Sequence, residues 1–388
     1  MNRAKIVVAG MAVVAILALA GVGAVLGSLS ATALVTPQPA ISAAEHQAAL
    51  EALRPPKRQR PVVALIAINN ATETTDFIVP TSILRRAGVA DVLTVATAPG
   101  PVQLYPALTV EADTTTTAFD AAYPEGADYV IVPAMSPDND PVALAWINKQ
   151  AESGAIIIGV CIGARVVSEA GLLDGKRATT HWFALRDMLK RHPTIESVAD
   201  RRFVVDGNVV TTTGITASMP TMLTLIEAIA GSDRARAVAD ELGIDAWDAR
   251  HDSGAFQLTR PFVTTVVGNV AALWNREEFG IPVADGIDEV TLALTADAWS
   301  RTYRSNAISF SPNASAITSR NGIRILPDRV TDSWASDRTI AIGADQAPAA
   351  AFDQSLEAIG QRYGAPTADV VAMQLEYDRS ANPVQKEQ

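Results

Sequence analysis

The chain reads as a parallel α/β protein with a reactive cysteine at the end of a central strand, and two observations carry that reading. From Val62 onward, short apolar runs alternate with amphipathic helical patterns, the signature of strands buried on both faces between helices. One such run, Ile156-Ile157-Ile158-Gly159-Val160, ends in Cys161, the single cysteine among 388 residues, and continues as Ile162-Gly163-Ala164-Arg165. A strand, a Gly-x-Cys-x-Gly turn and a helix in that order form the layout of a nucleophile elbow. Small residues at 159, 163 and 164 let strand and helix approach closely, and the helix N-terminus favours an anion. A thiol placed there can become a thiolate near neutral pH; the competing reading is a buried structural cysteine, against which the strand-turn-helix context weighs.

The elements follow in order. After Arg3 and Lys5, the run Ile6–Gly27 is apolar throughout, and no charge appears until Glu45. That length suffices for a membrane-spanning helix, with the basic residues on the cytoplasmic side and the main domain outside. The competing reading is a cleaved signal peptide with Ala31-Thr32-Ala33 as its processing site. Residues 1–36 are thus expected as an N-terminal membrane anchor, a single pass. Residues 37–61 read as a linker, bounded by Pro37, Pro39, Pro55, Pro56 and Pro61, with a short helix through Ala43–Leu53 and a solvated basic cluster at Lys57, Arg58 and Arg60.

In the main domain the pattern predicts strands at Val62–Ile68, Val92–Ala96, Tyr129–Pro133 and 156–160. Helices are predicted at Pro80–Ala87, Pro141–Ser153 and 162–171. A hairpin follows around Asp206-Gly207-Asn208, then closing helices at Met219–Ala230 and Ser232–Leu242. Residues 256–388 read as a smaller region of mixed α and β, with strands at Val290–Leu294 and Ile323–Leu326 and helices at Ala349–Tyr363 and Thr367–Tyr377. Two segments echo earlier ones: Gly286–Ala296 echoes Gly88–Ala98, and Ser355–Ile359 echoes Leu225–Ile229. A degenerate partial repeat without the elbow and chance similarity both fit this pattern.

Composition bounds the function. With 48% hydrophobic and 19% charged residues the chain can bury a sizeable core. The net charge of −11 and the absence of a basic domain argue against nucleic acid as a partner. From Thr259 to Gln388, 11 Lys/Arg stand against 16 Asp/Glu, so no basic DNA-binding region is evident. A lone cysteine excludes an intramolecular disulfide, and neither a metal nor a cofactor is expected.

A cysteine nucleophile needs a base or a charged neighbour. His181 follows Gly175, where the strand after the elbow helix should end, on the same sheet edge as Cys161. His46 lies in the linker, His192 at a helix end, and His251 reads as solvated. Asp76 and Glu73 lie after the first strand, whose carboxyl end faces the site. Asp76 also fits a helix cap before Pro80, and Glu73 reads as a solvated loop charge.

The blocks Gly159-Val160-Cys161-Ile162-Gly163-Ala164 and Ala170-Gly171-Leu172-Leu173-Asp174-Gly175-Lys176-Arg177-Ala178-Thr179-Thr180-His181-Trp182 resemble the ThiJ/PfpI family within the class I glutamine amidotransferase-like fold. The flavour is that of AraC-type regulators and isonitrile hydratase. Asp76-x-x-x-Pro80, Arg85-Arg86-Ala87-Gly88 and Thr213-Gly214-Ile215-Thr216-Ala217 extend the likeness over about residues 62–250, in a domain set at 62–255. The resemblance implies a flavodoxin-like sandwich, usually a homodimer, acting on or sensing a small-molecule substrate or ligand. It implies Cys161 as nucleophile, Asp76 as its hydrogen-bonded acid and His181 as the family histidine. The elbow amides of Ile162 and Gly163, with Ala134 after the central strand, are the expected oxyanion-binding positions. Two positions depart from isonitrile hydratases: Ile162 stands where they carry threonine, and Pro133-Ala134-Met135-Ser136 replaces the usual glycine pair. Another thiol-dependent activity, or none, is left open. The readings are therefore a membrane-anchored cysteine enzyme, a non-catalytic ligand sensor, and a tethered scaffold whose tail holds a partner.

Overall fold

The computed structural model describes residues 27–33, 38–343 and 346–377. Helix α1 (Ala43–Ala52) precedes strand β1 (Val62–Ala67). Then come β2 (Asn70–Glu73), α2 (Thr74–Ala87), β3 (Asp91–Ala96), the short strands β4 (Val102–Tyr105), β5 (Thr109–Glu111) and β6 (Thr114–Thr115), and α3 (Thr116–Ala122). The centre is built by β7 (Tyr129–Val132), α4 (Pro141–Glu152), β8 (Ile156–Gly159) and α5 (Gly163–Glu169). Next are β9 (Arg177–Ala178), α6 (Trp182–Arg191), β10 (Glu196–Ser197), the hairpin β11 (Phe203–Asp206) and β12 (Val209–Thr212), and helices α7 (Ser218–Ala230) and α8 (Ser232–Leu242).

Seven strands form one sheet in the order β11-β12-β8-β7-β1-β3-β6. Every pairing is parallel except the β11–β12 hairpin. Strands β1, β7 and β8 are buried along their whole length, as expected of strands covered on both faces. Their carboxyl ends converge on one edge, where ligands bind in open α/β sheets.

Helix α2 begins six residues before the predicted Pro80. Glu73 caps it by accepting the Asp76 N–H at 2.6 Å, so Pro80 lies inside the helix. The segment 53–61 is docked rather than solvated. The buried Asp128 carboxylate accepts the backbone N–H groups of Lys57 (3.1 Å), Arg58 (3.0 Å) and Val62 (2.9 Å), and Arg58 Nη1 at 2.6 Å. Arg60 pairs with Asp91 at 2.7 Å.

After α9 (Arg260–Ala271) come β13 (Glu277–Pro282), α10 (Glu289–Ser300), β14 (Ser305–Ser311), the strands β15 (Ile317–Thr318), β16 (Arg324–Leu326) and β17 (Arg329–Val330), and helices α11 (Pro348–Tyr363) and α12 (Ala365–Gln374). The predicted strand Val290–Leu294 is the core of helix α10. Eleven of its twelve residues are buried, and a helix enclosed on all sides shows the same unbroken apolar run as a buried strand. Asp288 caps it by accepting the Thr291 N–H at 3.0 Å. The first echo therefore pairs a strand with a helix and has no structural counterpart. The second pairs α7 with α11, each leading through a positive-φ glycine, Gly231 or Gly364, into a further helix.

The fold class needs one correction. Among the described residues no helix is long and apolar enough to cross a membrane, so the expected transmembrane helix is not supported. The run Ile6–Gly27 on which it rested lies, apart from Gly27, outside the described residues.

Candidate functional site around Cys161

Cys161 is buried and sits at φ +57°, a conformation sparsely populated by L-residues that persists only where its surroundings enforce it. The enforcement is visible. Its backbone N–H donates to Thr212 Oγ1 at 3.1 Å, and its carbonyl accepts from Thr180 Oγ1 at 2.8 Å. The small residues serve close approach. A Cβ on Gly159 would lie 2.9 Å from Ala164 Cα, and one on Gly163 would lie 2.8 Å from Pro133 C and closer still to Val132 O.

Beside the thiol opens a cavity of about 570 Å³, lined among others by Glu73, Tyr105, Met135, His181, Arg301 and Gln374. Asp76 is wholly buried beneath it at the start of α2. Its Oδ2 accepts the Ala134 N–H at 3.1 Å, and its Oδ1 has no hydrogen-bond partner. Burial raises this carboxyl from its ordinary 3.8 to about 7, with the Ala134 N–H and Arg301 acting in the opposite direction.

Glu73, expected as a solvated loop charge, is buried at the α2 N-cap. Burial pushes it well above the ordinary carboxylate range, assisted by the charges of Asp297 and Asp76. Its Oε1 accepts from Arg301 Nη2 at 2.7 Å, and Arg301 Nε reaches Asp297 Oδ1 at 2.6 Å.

The thiol also departs from expectation. Burial raises it well above its ordinary value, and the carboxyls of Asp76, Glu73 and Glu376 add to this. The Ile162 N–H acts the other way. The helix-end effect is present but outweighed by desolvation.

His181 lines the same cavity, but both ring nitrogens are engaged. Nδ1 accepts the Phe183 N–H at 3.2 Å, and Nε2 lies 3.0 Å from the Gln374 carbonyl. A backbone N–H only donates and a carbonyl only accepts, so the ring is the neutral Nε2–H tautomer. Burial holds its pKa below the ordinary 6.5. It caps α6 and ties the end of α12 to the site, helped by Trp182 Nε1 on the Met373 carbonyl at 2.8 Å.

Of the expected oxyanion donors, Ala134 and Ile162 line the cavity and Gly163 does not, and the protons of Gly163 and Ala134 are already spent. Gly163 N–H donates to Val160 O at 2.7 Å, Ala134 N–H to Asp76, and Ile162 N–H faces the thiol sulfur. Among the other histidines, His192 closes α6 as expected. His251 is buried rather than solvated, 3.0 Å from Glu376 Oε1. Glu376 also accepts the Gly214 N–H.

Sequence reasoning weighed Glu73 and set it aside as solvated, and it missed Arg301, Gln374 and Glu376. The first had a signal: Glu73 stands three residues before Asp76, the spacing of an N-cap and the amide that it caps. The other three come from the C-terminal region, which no local motif connects to the elbow. Among the described residues no cluster of His, Cys, Asp or Glu could hold a metal ion.

Comparison with known proteins places this arrangement. The DJ-1/PfpI family model matches residues 62–228. An isonitrile hydratase of Pseudomonas putida is 42% identical over 104 residues, covering 26% of this chain and 44% of the hydratase. The HTH-type transcriptional regulator CdhR of Pseudomonas aeruginosa is 35% identical over 118 residues, 30% of this chain and 35% of the regulator. The chain thus spans less than half the length of either relative. The crystal structure of a DJ-1 superfamily protein from Salmonella typhimurium aligns with 25% identity and a TM-score of 0.43, covering 48% of this chain and 100% of that protein. With the elbow, the acid before Pro80 and the sheet order in place, residues 62–228 are a DJ-1/PfpI family domain.

Proposed function

We propose that this domain catalyses thiol addition to a small electrophilic carbon, such as that of an aldehyde, isonitrile or acyl group. One observation carries the reading: a strained, buried cysteine lines a cavity of about 570 Å³, and behind the Ala134 wall of that cavity lies a buried carboxyl, Asp76, which acts on the thiol and whose pKa of about 7 suits proton transfer at neutral pH. As Sγ bonds to the electrophilic carbon, the Asp76 carboxylate takes the thiol proton. It then returns that proton to the atom that has gained the electron pair. The raised thiol makes this coupled route the effective one, because little thiolate forms beforehand.

The test is a screen of small electrophiles against the wild-type chain, Cys161→Ser and Asp76→Asn. Turnover is expected to vanish in the first and to fall about a hundredfold or more in the second, the usual contribution of a general base. The wild-type rate should rise with pH through about 7 as Asp76 ionises. Turnover retained by Cys161→Ser would refute the reading.

A second reading is favoured by the spent amides. Gly163 and Ala134 already donate within the protein, which leaves a developing oxyanion poorly served and suits a ligand-sensing domain. Tight small-molecule binding that survives Cys161→Ala, with no turnover in the wild type, would establish it.

A further inference from the structure

The two halves of this chain meet as the subunits of a symmetric dimer meet. In the first half, β1, β3 and β6 pair in parallel, flanked by α2 and the β4–β5 hairpin. In the second, β13, β14 and β17 pair in parallel, flanked by α10 and the β15–β16 hairpin. Detail repeats too. Asp113 Oδ2 accepts from Thr94 N and Thr94 Oγ1, both at 2.7 Å, while Asp113 N donates back to Thr94 Oγ1 at 2.9 Å. Asp328 Oδ2 holds Ser309 N (2.9 Å) and Ser309 Oγ (2.7 Å), and Asp328 N donates back to Ser309 Oγ at 3.0 Å.

Across the junction, β5 pairs antiparallel with β16, and α2 packs on α10 with reciprocal ion pairs. Arg301, at the end of α10, reaches Glu73, the N-cap of α2, at 2.7 Å. Arg86, in the last turn of α2, reaches Asp288, the N-cap of α10, at 2.6 Å. Contacts that recur with their roles exchanged define an isologous interface. The symmetry breaks at function: among the described residues the second half has no counterpart of β7, β8 and the elbow, so only the Arg301–Glu73 end lies at a thiol.

We propose that Arg301 is a positioning residue of the Cys161 site, supplied in cis by a C-terminal half that stands where a second subunit would, so that one chain builds one complete site. Arg301 lines the Cys161 cavity and is held by Asp297 and Glu73, and Glu73 in turn holds the Asp76 N–H. The other groups acting on the thiol are Asp76 and Glu73 from α2, Glu376 after α12, and the Ile162 N–H. His181 is neutral, His251 is paired with Glu376, and Arg165 at the cavity wall is bound to Asp138 at 2.6 Å. Arg301 supplies the positive charge that offsets this acidic surround. The inference deepens the nucleophile reading, but its main readout, thiol alkylation, does not require turnover.

The test is the pH profile of iodoacetamide alkylation of Cys161 in the full chain. Arg301→Gln is expected to move the midpoint upward and to slow alkylation at pH 8 at least about threefold, the change expected of about half a pH unit. Arg301→Lys should restore most of the rate. Arg86→Gln breaks the symmetry-related ion pair and is the structural control: it should lower the melting temperature as Arg301→Gln does and leave the midpoint unmoved. Because Arg301→Gln strands Asp297, the double variant Arg301→Gln/Asp297→Asn removes the pair as a unit and should show the same shift. An unmoved midpoint in both Arg301 variants, or an equal shift in Arg86→Gln, would overturn the assignment. So would a wild-type rate constant that rises with protein concentration, the mark of a site completed by a second chain. If Cys161→Ser retains turnover, the nucleophile reading fails while these profiles still decide the role of Arg301.

Discussion

Replacing Asp76 with asparagine should stabilise this protein, and by an amount that depends on pH. Asp76 is wholly buried with Oδ1 unpartnered, and its carboxyl rises from 3.8 to about 7 on folding. Between those two values the unfolded chain has released the proton and the folded chain retains it. Rising pH therefore favours unfolding across that window. Stability associated with the protonated acid is complete below about pH 4 and is lost by about pH 7. Three pKa units at about 1.36 kcal/mol each come to about 4 kcal/mol. Asparagine keeps an oxygen for the Ala134 N–H and carries no charge, so Asp76→Asn avoids the loss. At about 2 °C per kcal/mol for a large domain, the variant should melt on the order of 8 °C above wild type at pH 8. At pH 4 the two should melt together. Scanning calorimetry of both proteins at these two pH values is the assay. A difference that is the same at both would show that Asp76 is ionised throughout, and would remove the basis for its role as a proton acceptor near neutral pH.

Two further substitutions probe the scaffold. Gly163→Ala places a Cβ against the backbone of Val132 and Pro133, which cannot rotate away as a side chain could. A loss of about 3 kcal/mol, the upper part of the overpacking range, should appear as a lower melting temperature with an altered Cys161 alkylation rate; an unchanged melt would mean that strand and helix are not packed as described. Asp128→Ala leaves three backbone N–H groups and Arg58 Nη1 without their acceptor. A cost of about 3–5 kcal/mol, that of breaking a buried pair, should accompany protease cleavage within 53–61; resistance to cleavage would refute the docking of that segment by Asp128.

The parts of this fold that were legible in the sequence are those whose cause is local. The strand boundaries around Val62, Tyr129 and Ile156 follow from apolar runs and the elbow from its small residues, while Ser232–Leu242 is bounded by Gly231 and Gly243. What was not legible depends on partners far away in sequence. Helix α10 reads as a strand because α2 and α11 enclose it. Glu73 reads as solvated because the arginine that pairs with it lies 228 residues later. His181 reads as a base because its spacing places it at the sheet edge, and nothing nearby shows that the Gln374 carbonyl will take its Nε2 proton.

The ionisation of the thiol shows how far a local rule can be outweighed. A cysteine at a helix N-terminus is expected as a preformed thiolate. Helix α5 has seven residues, and the helix-end contribution reaches the sulfur through the Ile162 N–H. Against it stand complete burial and the carboxyls of Asp76, Glu73 and Glu376. Each proton removed from Asp76 or Glu73 adds negative charge near the sulfur, so these two acids and the thiol titrate as a coupled set. Asp76 loses its proton near 7, well before the thiol does, and from then on a neutral thiol lies beside a buried carboxylate. That arrangement disfavours free thiolate at rest and favours proton transfer at the moment of attack, when the sulfur charge passes to the electrophile. The burial that raises both groups is therefore what couples them, and Arg301 limits how far the thiol rises.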